Sequence, residues 1–235
     1  MLLYSSGFCE LIGVFMRDYL DWEAIETVFL DLDGTLLDLH FDNHFWLEYV
    51  PVCYAVKHAI SHDDACNILM PRFKEVKGRL DWYCVDFWTR ELGLDIEQMK
   101  HEISHKIAVR PEVREFLQAI KQAGKRIVLV TNAHPASLSL KMKKTGLDEY
   151  FDRMINAHEI GLAKEHDGFW ASLHETEPFE PAATLLIDDN LEVLESAEHY
   201  GIKYLLAILK PDSQADEVET RHYHAVHHFS EVMPD

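Results

Sequence analysis

The chain has 235 residues, 48% of them hydrophobic and 27% charged, which excludes disordered and fibrous classes and allows one large domain or one domain carrying a sizeable insertion. Lys and Arg number 22 against 41 Asp and Glu, and the resulting net charge of -19 repels nucleic-acid phosphates and anionic lipid surfaces. Neither nucleic acid nor a membrane is therefore expected as a partner, and an anionic substrate would need local positive charge, which a bound divalent cation supplies.

The cysteines Cys9, Cys53, Cys66 and Cys84 fit neither a zinc knuckle nor a CxxC redox pair, which suits a reducing cytoplasm, and Cys53, Cys66 and Cys84 are expected as buried thiols. The first stretch, MLLYSSGFCELIGVFM, is apolar but has Glu10 and no basic residue before Arg17, so it lacks the pattern of a secretory leader. Residues 1–20 are expected to form an N-terminal extension, with Met16 as an alternative start. No uncharged apolar run reaches the ~18–20 residues that span a bilayer.

TVFLDL, from Thr27 to Leu32, is a short apolar run closed by DGT and reads as a buried strand ending in a turn. Residues 43–108 then change texture, with long aromatic-rich helical stretches and only Gly78 and Gly93 as breaks, and are expected as a helical insertion. Within it Phe45, Trp46, Trp82, Phe87 and Trp88 recur at spacings of packed helices. Pro111 is expected to open a helix with Val113, Phe116, Leu117 and Ile120 on one face and Gly124 as its stop. The strand RIVLV follows, then a helix from Ser137 to Thr145, a weak strand near Met154, a helix around Trp170, and the strand ATLLI ending at Asp188. A helix to Tyr200 and a strand from Tyr204 to Leu209 complete the expected regular structure. The tail RHYHAVHH, with His222, His224, His227 and His228, is expected as a loosely ordered surface segment. Alternating strands and helices make the class α/β, with a parallel sheet covered on both faces.

Ligands of open α/β sheets gather at the carboxyl ends of the strands, and three strands here end in DLDGT, VTNA and IDDN. Asp31 and Asp33 can face one crevice, where two ionised carboxylates repel unless a cation lies between them, and oxygen donors favour magnesium. Thr131 and Asn132 offer a hydroxyl and an amide suited to holding a phosphoryl oxygen without adding charge. Asp188 and Asp189 bring further carboxylates to the same edge. Lys164 is expected as the only cation of this acidic set, Lys141, Lys143 and Lys144 being read as the charged face of a helix.

These motifs, in this order at strand ends between Thr27 and Leu209, resemble the haloacid dehalogenase superfamily of hydrolases. The resemblance implies a Rossmann-like core over 21–42 and 109–225, a helical cap of the C1 type over 43–108, and a tail over 226–235. It further implies that Asp31 is the nucleophile of a phosphomonoester hydrolase and forms an aspartyl-phosphate, while Asp33 protonates the leaving oxygen and later deprotonates water. Mg2+ would be held by Asp31, the backbone carbonyl of Asp33 and Asp188, with Asp189 behind them, and Thr131 and Lys164 would grip the phosphoryl oxygens. Dehalogenases of the superfamily typically lack the second acid, so Asp33 argues for a phosphatase. Ala163 stands where related phosphatases often carry proline, which is expected to alter loop stiffness. FDNHFW, DWYCVDFW and TNAHP are similar to the bacterial GMP/IMP 5'-nucleotidases of that superfamily, and Asn43, Trp82 and Tyr83 are the candidate contacts to a purine. The alternatives within the superfamily are a sugar-phosphate or phosphoglycolate phosphatase and a phosphomutase; outside it, a receiver domain also uses an acceptor aspartate, magnesium, a Thr and a Lys.

Overall fold

The computed structural model describes residues 19–234, so Cys9 and the Met16 start lie outside the described residues. Six parallel strands form one sheet in the order β3-β2-β1-β4-β5-β6: β1 (Thr27–Leu30), β2 (Arg126–Thr131), β3 (Arg153–Asn156), β4 (Thr184–Asp188), β5 (Tyr204–Ile208) and β6 (His224–Val226). The register sets Leu30 beside Leu129 and Ile187, so the segments leaving β1, β2 and β4 emerge together at one edge. β1 lies centrally because all four of its residues are apolar or small enough to be buried on both faces. Its alternation divides the interior: Val28 and Leu30 pack into one apolar cluster and Phe29 into the other.

Between β1 and β2 the chain runs through α1 (His40–His44), a π-helical turn (Phe45–Tyr49), α2 (Val50–His58), α3 (His62–Val76), α4 (Leu80–Tyr83), α5 (Val85–Leu92) and α6 (Ile96–Glu102). These helices, hereafter the cap, occupy the stretch expected as a helical insertion, with helix starting at His40. The two strands of chain that enter and leave it are tied to each other, Asp38 N–H donating to Ala108 C=O at 2.9 Å and Arg110 N–H to Leu36 C=O at 3.0 Å. Phe45 and Trp88 are buried in it, while Trp46, Trp82 and Phe87 are partly buried against them. Trp46, Phe73, Trp82 and Trp88 form a mutual cluster with ring centroids 5.1–5.9 Å apart.

The remaining helices are α7 (Val113–Gln122), α8 (Pro135–Thr145), α9 (Ala157–Ile160), α10 (Phe169–Thr176) and α11 (Leu191–Tyr200). In α7, Val113, Phe116, Leu117 and Ile120 are buried as the spacing requires. Its start is Val113, not Pro111, because Glu112 takes a left-handed conformation at φ 63° and separates the proline from the helix.

The histidine-rich tail departs most from expectation. His224–Val226 pairs with β5 as a sixth strand, Val226 and Val232 are buried, and the Phe229 ring lies 4.7 Å from that of Phe116. It is thus a structural edge of the core, fixed by apolar residues interleaved with the histidines. Cys53, Cys66 and Cys84 are free and half-buried, less buried than expected. Among the described residues no helix is long and apolar enough to cross a membrane.

Candidate active site

Asp31 directly follows β1, Thr131 ends β2 and Asp188 ends β4, so neighbouring parallel strands deliver the three side chains to one crevice. Lys164 reaches them from the loop between α9 and α10. Its Nζ lies 2.5 Å from Asp31 Oδ1, 2.6 Å from Asp188 Oδ2 and 3.1 Å from the Val130 carbonyl, with the side chain buried. The loop is pinned behind it: Asn132 Oδ1 accepts from Lys164 N–H at 2.9 Å, and Ser196 Oγ donates to the Lys164 carbonyl at 2.6 Å. A buried ammonium is retained only with such charge-assisted partners, and the two carboxylates hold the Lys164 pKa above its ordinary value despite burial.

Asn132 was expected to offer its amide to a phosphoryl oxygen. In the structure Oδ1 holds the lysine loop and one Nδ2 proton goes to Glu165 Oε2 at 2.9 Å, which leaves the second N–H of the amide to donate. Thr131 is buried, with Oγ1 accepting from Ala133 N–H at 3.1 Å, which leaves its hydroxyl proton free to donate.

Asp33 occupies a different setting. Its Oδ2 pairs with Lys141 Nζ at 2.7 Å, its Oδ1 is buried without a hydrogen-bond partner, and the side chain keeps 22% exposure against 8% for Asp31. Lys141 also binds Asp42 at 2.6 Å, and Lys100 binds the other Asp42 oxygen at 2.8 Å while lying 4.5 Å from the Phe45 ring centroid. The resulting chain Asp33, Lys141, Asp42, Lys100 joins the core to the cap. It corrects two expectations: Lys141 lies buried rather than on a solvated face, unlike the exposed Lys143 and Lys144, and Lys164 is not the only cation near the carboxylates. Sequence reasoning missed Asp42 and Lys100 because their partners are distant in the chain.

Burial, followed by the neighbouring Asp188 charge, raises the Asp31 pKa to about 7 against the pull of Lys164. Burial, with Asp42 and Asp31, raises Asp33 to about 6 against Lys141. Asp188 and Asp189 are also raised by burial, whereas Asp42, between two lysines, is held well below the usual carboxylate range.

Asp31, Asp188 and Asp189 each present a carboxylate oxygen, all three within 4.8 Å of one another. An all-oxygen donor set of two buried carboxylates and one half-buried one, with too little positive charge to neutralise it, fits a hard divalent cation such as Mg2+. Gly34 makes room for this cluster, since a Cβ there would lie 2.4 Å from Asp189 Oδ2, and its φ of +87° favours glycine independently. The Asp33 carboxyl lies outside the cluster and is turned to Lys141.

These groups floor a cavity of about 530 Å³ whose far wall is the cap, with Asn43, Trp46, Trp82 and Tyr83 among its lining residues. The three candidate purine contacts therefore share a cavity with the carboxylates. Two are already engaged: Asn43 Nδ2 donates to Asp212 Oδ2 at 2.8 Å, and Tyr83 Oη donates to Glu165 Oε1. Asn190 Nδ2 donates to the same Glu165 oxygen at 3.1 Å, so Glu165, not singled out in the sequence, ties cap, lysine loop and β4 edge together. Lys77 and Arg221 also line the cavity.

A parallel α/β sheet with a helical cap inserted after β1, and an Asp, Thr, Lys, Asp constellation at its carboxyl edge, defines a capped hydrolase. The chain belongs to the haloacid dehalogenase-like hydrolases, the family whose model matches residues 25–201. It is 36% identical over 213 residues to the GMP/IMP nucleotidase YrfG of Escherichia coli (strain K12), a match covering 91% of this chain and 96% of that protein. The pyrophosphatase PpaX of Bacillus mycoides (strain KBAB4) is 24% identical over 189 residues, covering 76% of this chain and 81% of that protein. Among solved structures, an HAD phosphatase from Thermococcus onnurineus aligns with a TM-score of 0.74 at 23% identity, covering 88% of this chain and 95% of that one. Within the family this chain carries the phosphatase pattern, with an acid two residues beyond the first aspartate.

Proposed function

We propose that the protein is a Mg2+-dependent phosphatase of purine nucleoside 5'-monophosphates, working through a phosphorylated Asp31. The observation that carries this reading is the single cavity joining the Asp31, Lys164 and Asp188 floor to an aromatic cap wall, supported by the 36% identity to a GMP/IMP nucleotidase. Its volume of about 530 Å³ falls within the ~300–1,000 Å³ usual for small-molecule sites.

Asp31, Asp188 and Asp189 would hold the cation, which supplies positive charge that draws in the phosphate and steadies charge on its oxygens. Asp31 attacks phosphorus in line; its Oδ–P bond forms as the P–O ester bond breaks. The Thr131 hydroxyl donates to a phosphoryl oxygen, and Lys164 does so once one of its three hydrogen bonds, to Asp31, Asp188 or the Val130 carbonyl, is exchanged. Asp33, with a free Oδ1 and a pKa pushed up to about 6, gives its proton to the departing ribose oxygen. It then takes a proton from the water that cleaves the aspartyl-phosphate, which regenerates both residues. Trp82 offers a ring face to the base, and Asn43 offers polar atoms to its edge once its bond to Asp212 is exchanged.

The test is kcat/KM for IMP, GMP, AMP, pyrimidine monophosphates, phosphoglycolate, sugar phosphates and pyrophosphate, with Mg2+ and with EDTA. IMP and GMP are expected to exceed the rest by at least about tenfold, with activity lost in EDTA. A flat profile, or one led by sugar phosphates or pyrophosphate, would reject the purine assignment while leaving the phosphatase class intact.

A further inference from the structure

We infer that the protein carries a second metal site, for a borderline transition metal of the zinc class, formed by Cys84, His134 and His158 where the cap meets the core. Cys84 stands between α4 and α5 of the cap, His134 caps the N-terminus of α8 two residues beyond Asn132, and His158 is the second residue of α9. Three segments far apart in sequence thus bring one sulfur and two ring nitrogens within 4.8 Å of one another, all half-buried. The site is distinct from the oxygen cluster at Asp31, and its chemistry differs: a thiolate with two imidazoles selects zinc-like ions over magnesium.

The His158 ring supplies an independent indication. Its Nε2 is buried and has no hydrogen-bond partner, a costly condition for a polar atom, and its ring centroid lies 4.9 Å from that of His134. A buried imidazole nitrogen left open toward a thiol and a second imidazole is satisfied by a metal ion. Burial lowers the pKa of both His134 and His158, which favours the neutral imidazoles that a metal requires. Asp86 Oδ2 lies 3.7 Å from His134 Nε2 and is available as a fourth ligand in place of water.

Metal–ligand bonds of about 2.0–2.3 Å place tetrahedral donors ~3.3–3.7 Å apart, so the triad closes by up to roughly 1.5 Å on binding. Cys84 loses its thiol proton to solvent. Metal at His134 Nε2 moves the ring proton to Nδ1 and gives up the long 3.3 Å hydrogen bond that Nδ1 accepts from Ala136 N–H. Since Cys84 follows Tyr83, which already holds Glu165 of the lysine loop, an ion here fastens the cap to the core beside the substrate cavity.

The experiment is titration of the whole protein with Co2+ in saturating Mg2+, read by thiolate-to-cobalt charge-transfer absorption, which oxygen-only sites do not give. One Co2+ per chain with this absorption is expected, displaced by Zn2+. Cys84→Ser should abolish the band, and His158→Ala should weaken binding at least about tenfold, with Tm and circular dichroism verifying the fold of each variant. If Cys84→Ser fails to fold, His134→Ala and His158→Ala carry the test. Cys66 lies 3.7 Å from His62 Nε2 and is the rival thiol. Absence of the band, or a band that survives Cys84→Ser and disappears in Cys9→Ser, Cys53→Ser or Cys66→Ser, would overturn the inference.

Discussion

Asp31 and Asp33, two residues apart, have different surroundings, and this difference fits the proposed division of labour, with Asp31 as nucleophile and Asp33 as proton carrier. Asp31 is locked between Lys164 and the metal-fitting carboxylates, whereas Asp33 has one oxygen on Lys141 and one unpartnered. Asp31→Asn should leave the fold intact and reduce turnover by at least about 10³-fold, measured as phosphate release. Asp33→Asn should slow both formation and breakdown of the phosphoenzyme, resolved by single-turnover kinetics; near-normal rates for either step would contradict its role. Lys141→Met leaves the half-buried Asp33 and Asp42 without their shared cation, Asp42 keeping Lys100, and should destabilise the fold by up to about 3 kcal/mol in urea unfolding. Asp31, Asp33, Thr131 and Asp188 could be placed at the sheet edge from the sequence because each sits at or just after a recognisable strand end, whereas Lys164, in the loop between α9 and α10, was marked only by the motif resemblance. Lys141 and Lys100 were not, because a lysine on an amphipathic helix reads as solvated until its acidic partner, here Asp42, is found in space.

Among the elements, the lysine loop and the cap are coupled through Glu165, which receives Tyr83 from the cap, Asn132 from the β2 edge and Asn190 from the β4 edge. Tyr83→Phe removes one latch without disturbing ring packing, so KM for a nucleotide is expected to rise more than kcat falls. Equal loss in both would instead indicate damage at the floor of the site. The strands and helices of the core were legible because their periodicities are strong and their ends are marked by Gly146, Gly201 and the aspartates. β6 was not, since a three-residue strand that begins at His224 and runs into His227 and His228 carries too little apolar signal, and only pairing with β5 reveals it. The extra left-handed residue before α7 was equally hidden, because Glu112 in that conformation is held by the surrounding fold. Its carboxylate accepts from Ser230 N–H at 2.9 Å, so the tail helps fix it.

For the whole molecule, the raised carboxylates at the sheet edge set a pH dependence. Asp31, Asp33, Asp188 and Asp189 have folded-state pKa values above the ordinary range, so the folded chain binds protons that the unfolded chain has released. The stabilising contribution of Asp31 and Asp33 is therefore fullest below about pH 4 and is lost as pH rises through about 6 to 7, and that of Asp188 and Asp189 is lost in the same direction. A divalent cation replaces those protons, so Mg2+ should raise Tm more at pH 7.5 than at pH 5.5; an equal shift at both would argue against binding at these carboxylates. The net charge of -19 makes this local compensation more necessary, since an anionic substrate approaches an anionic protein. The most direct test of the account is acid-quenched single turnover of GMP followed by peptide mass spectrometry. A phosphoryl group is expected on the peptide containing Asp31, absent in Asp31→Asn and prolonged in Asp33→Asn. Phosphate release at full rate with no phosphorylated peptide, or with the group on another residue, would contradict the central claim that Asp31 is the nucleophile.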